Sequence, residues 1–246
     1  MTVADGLSVE PEEAAVQVLL SMSDILAATR QQRYHALWMF ADKLLPTITR
    51  GRAKQTGSSG SDMIFQNELP LPLFAVACLM LALQSDLDEK ASKDSKQVLK
   101  TVYATACSAL GASFGTSHSS TRLLEAAAIV RCEVKTARQK MTSDYLLEMH
   151  RKIQEAGLAS FQDVALDTCF SILELLYASA DYRRSHPLEC GGKLLAAAII
   201  ASTFALRVQP AQVSSLPFLS WLSDLSKHPK DVIKAQTEQV VACLLQ

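Results

Sequence analysis

Hydrophobic positions recur at helical spacing along nearly the whole chain, but in two stretches the polar face disappears. The first is Leu69–Gln84, LPLPLFAVACLMLALQ; the second is Leu188–Leu206, LECGGKLLAAAIIASTFAL. A helix that is apolar all round cannot lie on a surface, so both are expected at the centres of bundles, wrapped by other helices. Both enter from a proline and mix small side chains with large ones. In the second, Gly191, Gly192, Ala196, Ala197, Ala198 and Ala201 admit close neighbours, while Leu194, Leu195, Ile199, Ile200 and Phe204 fill the gaps.

The remaining segments are one-sided. Pro11–Ala28 carries Val16, Leu19, Leu20 and Ala27 at helical spacing, with Glu12 and Glu13 where a helix dipole favours them. Tyr34, Leu37, Trp38, Ala41, Leu44 and Leu45 predict a second helix that Pro46 closes. Thr47–Asn67 is rich in glycine and serine and reads as a flexible loop; after the first apolar stretch comes a solvated segment, then a helix over Ser95–Leu110. GASFGTSHSST reads as a second loop, followed by a short helix Thr121–Arg131, a tight turn and a long helix Glu133–Glu155. The next helix is expected to start from a capping box at Ser160–Asp163 and to run to Ala180, with ASADYRRSHP as a turn. After the second apolar stretch, Leu216–Leu225, a turn at Ser226–Pro229 and Lys230–Leu245 form a closing helix pair. No strand pattern survives, and the fold class is all-α.

Composition narrows the function. With 49% apolar and 20% charged residues, the 246-residue chain can bury real cores and is not a disordered chain. Lys193 interrupts the longest apolar run, which favours a buried soluble helix over a membrane span, and the acidic start MTVADGLSVEPEEAA does not read as a signal peptide. The six cysteines show no CxxC, and the five histidines show no HExxH or His/Cys pairing, so neither disulfides, metal nor cofactor is expected. No GxSxG and no GK[ST] after the glycines of GASFGTSHSST gives little support to an enzyme. Lys90, Lys93, Lys96 and Lys100 alternate with acids and read as a solvated face; Trp38 and Trp221 read as core. A net charge of −1 leaves nucleic-acid contact to local patches.

Without their insertions the two halves share one order: peripheral helix, apolar central helix, short helix, turn, longer helix. That order resembles the cyclin box used twice, which implies two tandem cyclin-like repeats, 1–141 (with insertions near 47–67 and 86–120) and 142–246. Of the families with tandem boxes, LLEAAAIVRCEVKTARQKM over Leu123–Met141 resembles the helix-turn-helix closing the first repeat of transcription factor IIB. RRSHPLECGGKLLAAAIIAS resembles that family's entry into its second central helix, and FLSWLSDLSKHPKDVIKAQTEQVVACLL its final helix-turn-helix. Lys234, after Ile233, stands where the family carries an arginine that reaches the major groove.

The resemblance implies a nuclear, non-catalytic core of a transcription initiation factor that binds the TATA-binding protein and promoter DNA and serves RNA polymerase as a monomer. Its DNA-facing residues would be Lys227, His228, Lys230 and Lys234 in the last unit, and Arg131, Lys135 and Arg138, with Lys140, in the first. Either unit can equally be a bundle corner with a solvated basic face. Arg50, Arg52 and Lys54 would touch a partner or phosphate, or belong to a floppy insertion. The chain departs from the family in lacking an N-terminal zinc ribbon and in its slightly acidic charge. A kinase-activating cyclin is the alternative, although Leu81-Ala82-Leu83-Gln84-Ser85 stands where cyclins have a lysine; a helical scaffold with protein partners is the third.

Overall fold

A computed structural model of the chain describes residues 10–49, 69–85, 92–134, 140–156, 164–185, 192–207 and 218–245. Among these residues every regular element is helical, so the protein is all-α. The chain divides into two compact units, Met1–Ala137 and Arg138–Gln246. No described helix is long and apolar enough to cross a membrane.

In the first unit α1 (Pro11–Ile25) opens on a proline with Glu12 and Glu13 in its first turn, and buries Val16, Leu19 and Met22. Thr29 then caps α2 (Arg30–Leu37): its hydroxyl accepts from the Gln32 amide at 3.3 Å, and its own amide donates to Gln32 Oε1 at 2.8 Å. The helix does not close at Pro46 as expected. It passes through a π-helical stretch, Trp38–Leu44, and stays helical over 45–49. The last wide turn is closed by the Leu45 amide on the Phe40 carbonyl, five residues back. A proline interrupts an α-helix because its ring meets the carbonyl four residues earlier. A widened turn just before Pro46 relieves that conflict.

The expected central helix is α3 (Leu71–Ser85), buried without interruption from Leu73 to Met80 and packed by α1, α2, α4 (Ser92–Ala109) and α6 (Ser120–Glu133). Between the last two, GASFGTSHSST is not simply a loop. Gly111, at φ +82°, turns the chain into a short helix α5 (Ala112–Ser117), which buries Phe114. One aromatic anchor is too little periodicity to be seen in sequence. Tyr103 closes the corner by donating to the His118 carbonyl at 2.8 Å.

The expected long helix Glu133–Glu155 is overturned. α6 ends at Glu133, Val134 leaves helical geometry at ψ 79°, and α7 starts afresh as Thr142–Glu155. Asp144 fixes that start by accepting from the Met141 amide at 2.9 Å. Helical spacing runs through the junction, but Thr142-Ser143-Asp144 is a start signal and it prevails. As a result α7 packs on the second central helix, α10 (Gly192–Arg207), and belongs to the second unit.

Two further corrections fall in that unit. The helix expected from Ser160 begins at Leu166 instead (α8, Leu166–Ala178): Val164 is not helical and Ala165, before the first turn, is extended. The Val164 carbonyl is taken by buried His150, whose Nε2 lies 2.9 Å away. The Ser160–Asp163 capping box lies outside the described residues. The expected turn ASADYRRSHP contains a six-residue helix, α9 (Ala180–Ser185), capped by the Ser179 hydroxyl accepting from the Tyr182 amide. Around α10, which is buried from Leu195 to Phe204, pack α7, α8, α11 (Phe218–Ser226) and α12 (Lys230–Leu244). Gly192 lets α7 come close: a Cβ there would sit 3.3 Å from Thr142 Oγ1. Inside α10, Ser202 and Thr203 donate back to the Ala198 and Ile199 carbonyls, so their hydroxyls carry no unmet polarity into the core.

Candidate nucleic-acid interface

The α11–α12 pair is a helix-turn-helix, its corner at Lys227, His228 and Pro229. Lys227 sits in the left-handed region at φ +62°, and its amide donates to the Ser223 carbonyl at 2.9 Å, which ends α11. Two serine hydroxyls shape the rest. Ser223 Oγ donates to the His228 carbonyl at 2.7 Å, and Ser226 Oγ accepts from the His228 amide at 3.3 Å. Pro229 stands before α12, and its carbonyl receives the Val232 and Ile233 amides at 3.1 Å. Phe218, Leu222 and Ser226 of α11 and Ile233 and Val240 of α12 are buried, so the pair is anchored from one side.

Lys227, Lys230 and Lys234 are exposed and His228 is half-buried. Exposed Asp224, Asp231 and Glu238 lie on the same two helices. Lysine and carboxylate therefore nearly balance, and charge alone gives this face little attraction for a duplex. Trp221, expected in the core, is half-buried, whereas Trp38 is buried with Lys43 Nζ 5.4 Å from its ring.

Of the first group of candidates Arg131 and Lys140 are described, one in each unit. Arg131 is exposed in the last turn of α6 and donates to Gln84 Oε1 at 3.0 Å; Gln84 Nε2 in turn donates to the Ser95 carbonyl at 3.3 Å. Arg131 thus ties the ends of α6, α3 and α4 together. Lys140 pairs with Glu148 at 3.0 Å and stands 5.7 Å from the Tyr145 ring. Glu148 also receives Lys152 at 2.9 Å, and these two partners, Lys152 first, pull its carboxyl down to about 2. Lys135, Arg138, Arg50, Arg52 and Lys54 lie outside the described residues.

Sequence reasoning missed the serine hydroxyls that build the corner, although the S-x-x-S-K-H-P spacing places them there. It also missed a hydrogen bond of 2.8 Å from Gln236 Nε2 on α12 to the hydroxyl of buried Tyr182 on α9, a contact across 54 residues that no local pattern announces. Among the described residues no group of three or more His, Cys, Asp or Glu could hold a metal ion. The five described cysteines carry free thiols; burial pushes that of Cys78 up strongly. The chain matches no family model and no curated protein.

Proposed function

We propose that this chain is a non-catalytic adaptor of transcription initiation, built from two cyclin-like repeats of the transcription factor IIB kind. One observation carries the reading. The second unit surrounds its alanine-rich helix α10 with four others and ends in a helix-turn-helix that leaves Lys227, Lys230 and Lys234 in solvent. The first unit supports it more loosely: its buried helix α3 is packed by α1, α2, α4 and α6, with short α5 between the last two, and α6 ends at Glu133 without the helix-turn-helix expected over Leu123–Met141.

In this reading the adaptor works in the nucleus, as a monomer, without metal or cofactor. It docks on a TATA-binding protein already seated on promoter DNA and offers α12 to the adjacent groove, from where RNA polymerase is recruited. The near-neutral charge fits this order of events. Few counterions are released on contact, so free DNA is held weakly, and a docked partner supplies the effective concentration that charge does not. The stretch Leu81–Ser85, where a cyclin would carry lysine, holds none, and its Gln84 is engaged by Arg131.

A pull-down from nuclear extract tests the reading. The chain is expected to bring down TATA-binding protein and RNA polymerase. Robust stimulation of a cyclin-dependent kinase by the purified chain would overturn it in favour of the cyclin-type reading.

A further inference from the structure

The exposed charges of the α11–α12 pair cancel: Lys227, Lys230 and Lys234 are matched by Asp224, Asp231 and Glu238. The helices packed on the pair bring Lys193 and Arg207 from α10 and Asp167 and Glu174 from α8; α9, which reaches α12 through Tyr182, brings Asp181, Arg183 and Arg184. The thiol of Cys243 lies near the far end of α12. One titratable side chain sits at the corner itself. Of the other described histidines, His35 lies against Trp38, His150 is buried with Nε2 at the Val164 carbonyl, and Nδ1 of His118 is buried without a partner. His228 differs from all three. Ser223 Oγ donates to its carbonyl at 2.7 Å, and Ser226 Oγ accepts from its amide at 3.3 Å. Among the described residues its half-buried imidazole makes no hydrogen bond, ion pair or ring contact. The backbone is therefore fixed between Lys227 and Lys230 while the ring is left for a ligand. On a charge-balanced face a single added proton supplies the whole net charge, and histidine is the side chain whose ordinary titration falls between about pH 5 and 8.

We propose that His228 makes the DNA contact of the α11–α12 pair dependent on pH, by carrying a proton to phosphate. The proposal rests on the reading of that pair as DNA-facing. A phosphate beside the ring favours its charged form, so binding is tightest at low pH and the gain is lost as pH rises. Each further cation set on phosphate releases counterions and steepens the fall of log affinity with log salt by about 0.9. The test is a salt series of titrations of promoter duplex carrying TATA-binding protein, at about pH 8 and about pH 5.5. Wild type, His228→Gln and His228→Lys are compared, with circular dichroism at both pH values as the check on folding. The ratio of wild-type to His228→Gln affinity should rise several fold from the higher pH to the lower. The wild-type salt slope should steepen by about 0.9 over the same interval, and that of His228→Gln should not. His228→Lys, charged throughout, should hold the steeper slope at both pH values. Comparison with the variants removes any titration that belongs to TATA-binding protein or to the other histidines. If wild type and His228→Gln change in parallel between the two pH values, His228 is not the responding group and the proposal fails while the DNA-facing reading stands. If no ternary complex forms at either pH, that reading fails and the proposal falls with it.

Discussion

Lys227 is a lysine in a backbone conformation that favours glycine. The left-handed region costs a residue with a Cβ about 1–2 kcal/mol, part of which glycine returns through a more flexible unfolded chain. Lys227→Gly should therefore raise the unfolding free energy by about 0.5–1 kcal/mol in urea titration. If the lysine also meets phosphate, the same variant should bind DNA less well despite being more stable; a single structural role would move only the first readout. Glu148 gives a pH signature. Its carboxyl lies at about 2 against an ordinary 4.5, drawn down by Lys152 and then Lys140. A folded value below the unfolded one means the stabilisation is present above the unfolded value and fades as pH falls from about 4.5 towards 2. The pair is partly solvated, so its worth is about 0.5 kcal/mol. Glu148→Gln should lose that amount at pH 7 and flatten the acid limb of the stability curve below pH 4.5.

Elements were legible in proportion to the length of their pattern. The two central helices stood out because an apolar run unbroken by charge has one stable home, the middle of a bundle. The ends of other helices did not, because they depend on single hydrogen bonds. Asp144 on the Met141 amide splits what spacing alone joins, and His150 on the Val164 carbonyl delays α8. Pro46 fails to stop its helix because the turn before it is π-helical, a feature that leaves no spacing signature. The short helices α5 and α9 bury Phe114 and Tyr182, and the Tyr182 hydroxyl meets Gln236, 54 residues away. Central placement also sets a test of packing. Ala77 is fully buried in α3, and Ala77→Leu should destabilise the chain by about 1–3 kcal/mol, lowering the urea midpoint with little change of slope.

At the scale of the whole chain, charge decides how the candidate interface could be used. The exposed lysines of α11 and α12 were readable from sequence, since they stand off the apolar stripe; the carboxylates among them were equally readable and temper their field. The Ser223 and Ser226 contacts that hold the corner are local; what sequence withheld is the Tyr182–Gln236 bond, which joins residues 54 apart and forms only once the unit has folded. An α12 that reads DNA only when a second protein brings it there implies a particular dependence on that protein. The deciding measurement is a titration of labelled promoter duplex with this chain at fixed salt, with and without TATA-binding protein, using wild type and Lys234→Ala. Expected is little binding to DNA alone, a clear ternary complex when the partner is added, and a loss of about 1–3 kcal/mol for Lys234→Ala if that lysine reads a base. Equal binding with and without the partner, or a ternary complex indifferent to Lys234, would contradict the adaptor reading and its assignment of α12.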